Sequence, residues 1–172
     1  LSLEVLKSPP ILSELIMKKR GLILMVGGTG SGKSTTLAAM IHHRNAHSMG
    51  HILTIEDPIE FVHEDKSCLV NQREIGIDSL TYAAALRAAM RESPDVVMIG
   101  EIRDLVTMEA VLELCNTGHL VVSTLHSNNA NQAIDRIVNL FPRDNRDQVL
   151  MDLSLNLQSI ISQRLVMGAD GT

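Results

Sequence analysis

Short apolar blocks at residues 22–26, 51–55, 96–99 and 120–125 alternate along the chain with longer stretches in which apolar side chains recur every three or four positions. Blocks this short suit strands buried on both faces of a parallel sheet, and the longer stretches suit helices laid over it. The first such stretch, 34–45, carries Leu37, Met40 and Ile41 at helical spacing; the second, 80–91, is rich in alanine; the third covers 105–116. The alternation predicts an α/β fold with a mostly parallel central sheet flanked by helices.

Boundary residues refine that outline. Ser8-Pro9-Pro10 reads as a cap and first turn, and Ile11, Leu12, Leu15 and Ile16 carry a helix to Lys18-Lys19-Arg20, where Gly21 stops it. The three basic residues are explained by a helix C-terminus, which favours positive charge. Asp78 or Ser79 can cap the alanine-rich helix, and Gly118 ends the one over 105–116. Asn129 or Asn131 starts a helix to Leu140, Phe141-Pro142 breaks it, and Asp144 or Asn145 opens a last amphipathic helix reaching about Leu165. Residues 69–70 and 75–77 give only weak strand or loop signals. No repeat and no low-complexity segment interrupts the pattern.

With 172 residues, 45% of them hydrophobic, the chain can build one buried core and is too short for two ordinary domains. Its net charge of -5 argues against a dedicated nucleic-acid binder, and with only three aromatic residues, Phe61, Tyr82 and Phe141, it has no base-stacking platform. No apolar segment approaches the ~20 residues needed to span a bilayer, and the N-terminus lacks the layout of a signal peptide, so a cytosolic location is expected. Cys68 and Cys115 read as buried thiols, and the nine methionines as core filling. His42, His43 and His47 cluster without a completing ligand and read as solvated histidines; Arg87 and Arg91 read as an exposed stripe. The chain opens without an initiator methionine, so a fragment of a longer protein is expected.

The chemistry concentrates at residues 27–34, Gly-Gly-Thr-Gly-Ser-Gly-Lys-Ser, which fit the phosphate-loop pattern of a glycine, four residues, then Gly-Lys-Ser. Such a loop turns through conformations that a Cβ would forbid, aiming successive backbone N–H groups at a phosphate chain. Lys33 adds a charge for the β and γ phosphates, and Ser34 offers a hydroxyl to Mg²⁺. A strand runs in and a helix runs out, which is the context that confirms the motif.

Ligands of open α/β sheets bind beyond the carboxyl ends of the strands. That edge should receive the phosphate loop, Glu60, Glu101 and His126. Nucleotide hydrolysis needs such groups: a carboxylate that orients water, another that holds Mg²⁺ directly or through water, and a neutral donor near the γ-phosphate.

Taken together the chain resembles the secretion-type ATPases, and within them the type IV pilus retraction motors of the PilT and PilU kind. The carriers are residues 27–35, residues 52–60 (Ile-Leu-Thr-Ile-Glu-Asp-Pro-Ile-Glu), residues 70–74 (Val-Asn-Gln-Arg-Glu), the Walker B segment 95–104 (Asp-Val-Val-Met-Ile-Gly-Glu-Ile-Arg-Asp) and the histidine-box segment 117–126 (Thr-Gly-His-Leu-Val-Val-Ser-Thr-Leu-His). Gly28, where many retraction motors have proline, and Ser-Asn-Asn-Ala-Asn-Gln at 127–132 make it look more like the PilU kind.

The resemblance implies a RecA-like P-loop ATPase domain over residues 1–172, lacking the family's N-terminal domain and last C-terminal helices. It implies ATP and Mg²⁺ as cofactors, with Gly27, Gly28, Thr29, Gly30, Ser31, Gly32, Lys33, Ser34 and Thr35 binding nucleotide and Ser34 and Glu101 serving the metal. Glu60 would activate water, Glu101 would be the Walker B residue, and His126 would pair with His119 in the histidine box. For His119 a hydrogen bond at the start of a strand explains the residue equally well. Gly100 stands where an aspartate often precedes the Walker B glutamate, so metal ligation by Glu101 is expected to be indirect or shared.

The implied activity is ATP hydrolysis driving pilus retraction and twitching motility. The implied assembly is a homo-hexamer, alone or with a related retraction ATPase, working on a platform protein at the cytoplasmic face of the inner membrane, with no nucleic acid. The alternatives are an assembly ATPase of type II secretion or conjugation, which commonly carries a four-cysteine insertion absent here, and an accessory nucleotide-binding module that regulates a partner motor. A small-molecule kinase is weaker still, with no lid-like arginine cluster.

Overall fold

The computed structural model describes residues 1–166. Six parallel strands form one sheet, β1 (Gly21–Val26), β2 (Gly50–Glu56), β3 (Cys68–Glu74), β4 (Val96–Ile99), β5 (Leu120–Leu125) and β6 (Leu157–Ser162), in the order β3-β2-β4-β5-β1-β6. Six helices cover it: α1 (Ile11–Ile16), α2 (Lys33–His47), α3 (Tyr82–Glu92), α4 (Leu105–Asn116), α5 (Ala130–Leu140) and α6 (Arg146–Asn156), with a 3₁₀ turn at Arg143–Asn145. The α/β reading holds, and every strand pairing is parallel.

Every residue of β1, β4 and β5 is buried, which is why the sequence shows these strands as continuous apolar blocks. Alternate side chains serve two cores. Leu22, Leu24 and Val26 face a core built with α3, α4, α5 and α6, while Ile23 and Met25 face a smaller one built with α1 and α2. Both cysteines lie buried as free thiols.

Three helices start on side-chain caps. The Thr81 hydroxyl accepts from the Ala84 N–H at 3.1 Å, the Asp104 carboxylate from Thr107 at 2.8 Å and the Asn129 amide oxygen from Gln132 at 3.0 Å. The cap of α3 is therefore Thr81, and neither Asp78 nor Ser79, whose residues lie in the turn before it.

Two expected helices are shorter than the pattern suggested. α1 begins after Pro10 without a side-chain cap and ends at Ile16, so Lys18, Lys19 and Arg20 lie beyond it. The carbonyl of its last residue, Ile16, and that of Lys18 beyond it are met instead by the buried Arg44 of α2, whose Nη1 donates to them at 3.0 Å and 2.9 Å. α6 stops at Asn156 rather than near Leu165, and the chain continues as β6 along the open side of β1. Asn156 marks the break: its amide nitrogen donates to Asn116 Oδ1 at 2.6 Å and to the Asp152 carbonyl at 2.9 Å.

Candidate active site

β1 delivers residues 27–34 to the carboxyl edge of the sheet. Gly27 lies so close to the chain after β6 that a Cβ there would come within 2.3 Å of the Gln163 carbonyl oxygen. Gly32, in the left-handed conformation at φ 84°, is the N-cap of α2 and supplies no side chain, leaving the first-turn N–H groups of a 15-residue helix open to an anion.

The Lys33 ammonium is buried beneath the loop, donating to the carbonyls of Gly27 at 2.9 Å and Gly28 at 2.7 Å. Burial pulls its pKa below the ordinary lysine value, and the Glu101 charge opposes that shift. The buried Ser31 hydroxyl has no protein partner, the one such side-chain atom among the described residues. An uncapped helix start, a buried cation and an orphaned hydroxyl on one glycine-rich turn suit a phosphate chain.

The other strands bring acid groups to the same cleft, which encloses about 250 Å³. Glu60, on the loop after β2, accepts from the Ser34 hydroxyl at 3.2 Å. That loop is buttressed by β3: Gln72 donates to the Phe61 carbonyl at 2.8 Å and accepts from the His63 N–H at 2.7 Å, and Glu74 accepts from the Ile59 N–H at 2.9 Å. The Gln-Arg-Glu segment thus carries the loop that carries Glu60.

Glu101 follows β4. It accepts from Arg103 Nε at 2.5 Å and lies 3.0 Å from His126 Nε2, at the end of β5. Arg103 also reaches Asp57, at 3.7 Å. Glu56, the last residue of β2, accepts from Thr54 Oγ1 at 2.7 Å and Gln72 Nε2 at 3.2 Å; burial raises its pKa, and these two hydrogen bonds partly offset the rise.

Gly100 has a packing explanation. A Cβ there would sit 3.1 Å from the Tyr82 hydroxyl, so a side chain at this position would require Tyr82 to shift by a few tenths of an ångström. Burial, then the charge of Asp57, pushes the Tyr82 phenol up to about 12, so it stays a neutral hydroxyl beside the carboxylates.

The structure brings the phosphate loop, Glu60, Glu101 and His126 to one cleft, at the carboxyl edge of the parallel sheet. His119 lies apart from them, before the first residue of β5 while His126 follows its last. Its Nδ1 lies 3.1 Å from both the Leu114 carbonyl and the Thr117 hydroxyl, closing the end of α4. Sequence reasoning missed Tyr82, treated only as one of few aromatics. It also missed Arg136, whose Nη1 donates to the His126 carbonyl at 2.6 Å, and Gln163, which the expected long helix would have turned elsewhere.

Comparison with known proteins gives a consistent result. A family model described as Type II/IV secretion system protein matches residues 6–171. The type IV pilus ATPase PilU of Pseudomonas aeruginosa is 54% identical over 170 residues, 99% of this chain and 44% of that protein. The type IV pilus retraction ATPase PilT of the same organism is 55% identical over 152 residues, 88% of this chain and 44% of that protein. The crystal structure of the pilus retraction motor PilT with bound ADP superposes with a TM-score of 0.92 at 53% identity, covering 95% of this chain and 48% of that one. The chain therefore spans less than half the length of these relatives.

Proposed function

The chain belongs to the type II/IV secretion system protein family, and from that premise we propose that it is the catalytic part of an ATPase that powers type IV pilus retraction. The observation that carries this reading is the meeting of Ser34, Glu60, Glu101 and His126 beside the uncapped start of α2.

The backbone N–H groups of residues 30–34 bind the phosphates, and Lys33 exchanges its loop carbonyls for β and γ oxygens. Mg²⁺, when bound, neutralises charge on the transferring phosphoryl group. Its hard oxygen donors here would be the Ser34 hydroxyl directly and Glu101 through water. Glu60, already within reach of Ser34, orients the attacking water. His126 would leave Glu101 to donate a hydrogen bond to the γ-phosphate oxygens, while Arg136 holds its backbone carbonyl. The proposed working form is a ring of six copies, alone or with a related retraction ATPase, at the cytoplasmic face of the inner membrane beneath a platform protein.

The test is phosphate release from ATP with Mg²⁺, with no acceptor added. Lys33→Ala should abolish nucleotide binding and turnover together. Glu60→Gln should keep binding and lower turnover ~10²-fold or more, as expected when a group acting on the transition state is lost. Turnover surviving unchanged in Glu60→Gln would remove that residue from the chemistry.

A further inference from the structure

Gln163 follows β6 and bonds to the strand before the phosphate loop, to the loop itself and to the helix after it. Its N–H donates to the carbonyl of Val26, the last residue of β1, at 2.8 Å, extending the β1–β6 ladder to the base of the loop. Its side-chain Nε2 donates to the Ser31 carbonyl at 2.8 Å, at the crest. Its Oε1 accepts from the Thr36 hydroxyl at 2.9 Å, in the first turn of α2. The amide orientation is fixed by chemistry: the Ser31 carbonyl can only accept, so the nitrogen must face it.

Two glycines of the loop record the closeness of this residue. A Cβ at Gly27 would lie 2.3 Å from the Gln163 carbonyl oxygen, and one at Gly32 would lie 2.8 Å from Nε2. Lys33 holds the loop's first two carbonyls, but α2 has no side-chain cap and the Ser31 hydroxyl has no partner, so Gln163 is the side chain that ties the crest.

From this geometry we infer that Gln163 is a positioning residue for the phosphate loop, bracing its crest against the first turn of α2 from the end of β6. The inference rests on reading residues 27–34 as the nucleotide's phosphate site. A glutamine suits the task because one planar amide offers a donor and an acceptor in fixed relation, and both partners here have the complementary group. None of Ser31, Thr36 and Gln163 lines the cleft shared by Lys33, Glu60, Glu101 and His126, so the brace leaves that space free.

The test uses two near-isosteric variants, Gln163→Met, which keeps length and removes both bonds, and Thr36→Val, which removes one. Amide hydrogen exchange across residues 28–33 is measured without nucleotide, and the dissociation constant for fluorescent ADP with Mg²⁺ is measured beside Lys33→Ala. Expected are exchange about tenfold faster in Gln163→Met, a smaller rise in Thr36→Val, and a double variant no worse than Gln163→Met alone. ADP affinity should fall about tenfold with thermal stability nearly unchanged. Loop exchange and ADP affinity equal to the parent's in both variants, with Lys33→Ala still losing ADP, would overturn the brace and leave the phosphate site standing. Faster exchange together with no ADP binding by the parent would uphold the brace and overturn the phosphate site. Should Gln163→Met not fold, Thr36→Val alone decides by the same readouts.

Discussion

Glu56 shows how a single side chain can carry a cost within a site. It ends β2 inside the cleft, 8% exposed, with Oε1 satisfied by Thr54 and Gln72, and burial holds its pKa above the ordinary carboxylate value. A carboxyl whose folded-state pKa is raised binds its proton more tightly in the native chain. Its charge therefore opposes folding above the folded-state pKa, and that opposition vanishes as pH falls through the folded and then the unfolded value. Glu56→Gln keeps the acceptor oxygen, so urea unfolding should show the variant more stable than the parent at pH 8, the difference closing by about pH 4. No gain at pH 8 would mean that the carboxylate is better solvated than its burial indicates. Glu60, Glu101 and His126 were legible as site residues because each terminates a strand or its loop on one edge. Tyr82 was not, since nothing in its flanks signals that the first residue of α3 would face the carboxylates across Gly100.

Strands buried on both faces were readable to within a residue, β1 beginning at Gly21, one position before its apolar block. β4 and β5 match the apolar blocks at their bounds because every position of both is buried. The edge strands were hidden for the opposite reason. β3 buries only Cys68 and leaves its other positions half-buried or exposed, and β6 is nowhere fully buried, so neither forms an apolar block. In β6 the spacing itself misleads: Val149, Leu153, Leu157, Ile160 and Ile161 continue a three-and-four rhythm across the break at Asn156. Of the three side-chain caps only Asn129 was among the residues expected, because Thr81 and Asp104 stand in segments whose other signals drew the reading elsewhere. Asp104 belongs to the Walker B segment, yet its carboxylate is committed to the Thr107 N–H, which makes it the start of α4. Asp104→Ala should cost ~1 kcal/mol in chemical denaturation, with Asp104→Asn retaining most of the stability. A large loss of turnover at unchanged stability would instead place Asp104 in the reaction.

At the scale of the molecule, the sheet collects four chemical groups on its carboxyl edge and places the amino-end residue His119 outside them. Glu60 lines the cleft yet is exposed, as in a site completed by another surface. If a second copy supplies that surface, phosphate release per molecule should rise with protein concentration and level off once rings form. Constant specific turnover across a hundredfold dilution series would show that one copy is sufficient. The parallel pairing of β6 with β1 also has a mechanical meaning. A pull directed along β6 loads the ladder bonds between the two strands together, in shear, whereas a pull across the strands would open them one after another. Tension along the last strand would therefore reach the base of the phosphate loop with little loss, and the chain would resist force best in the direction in which that strand points.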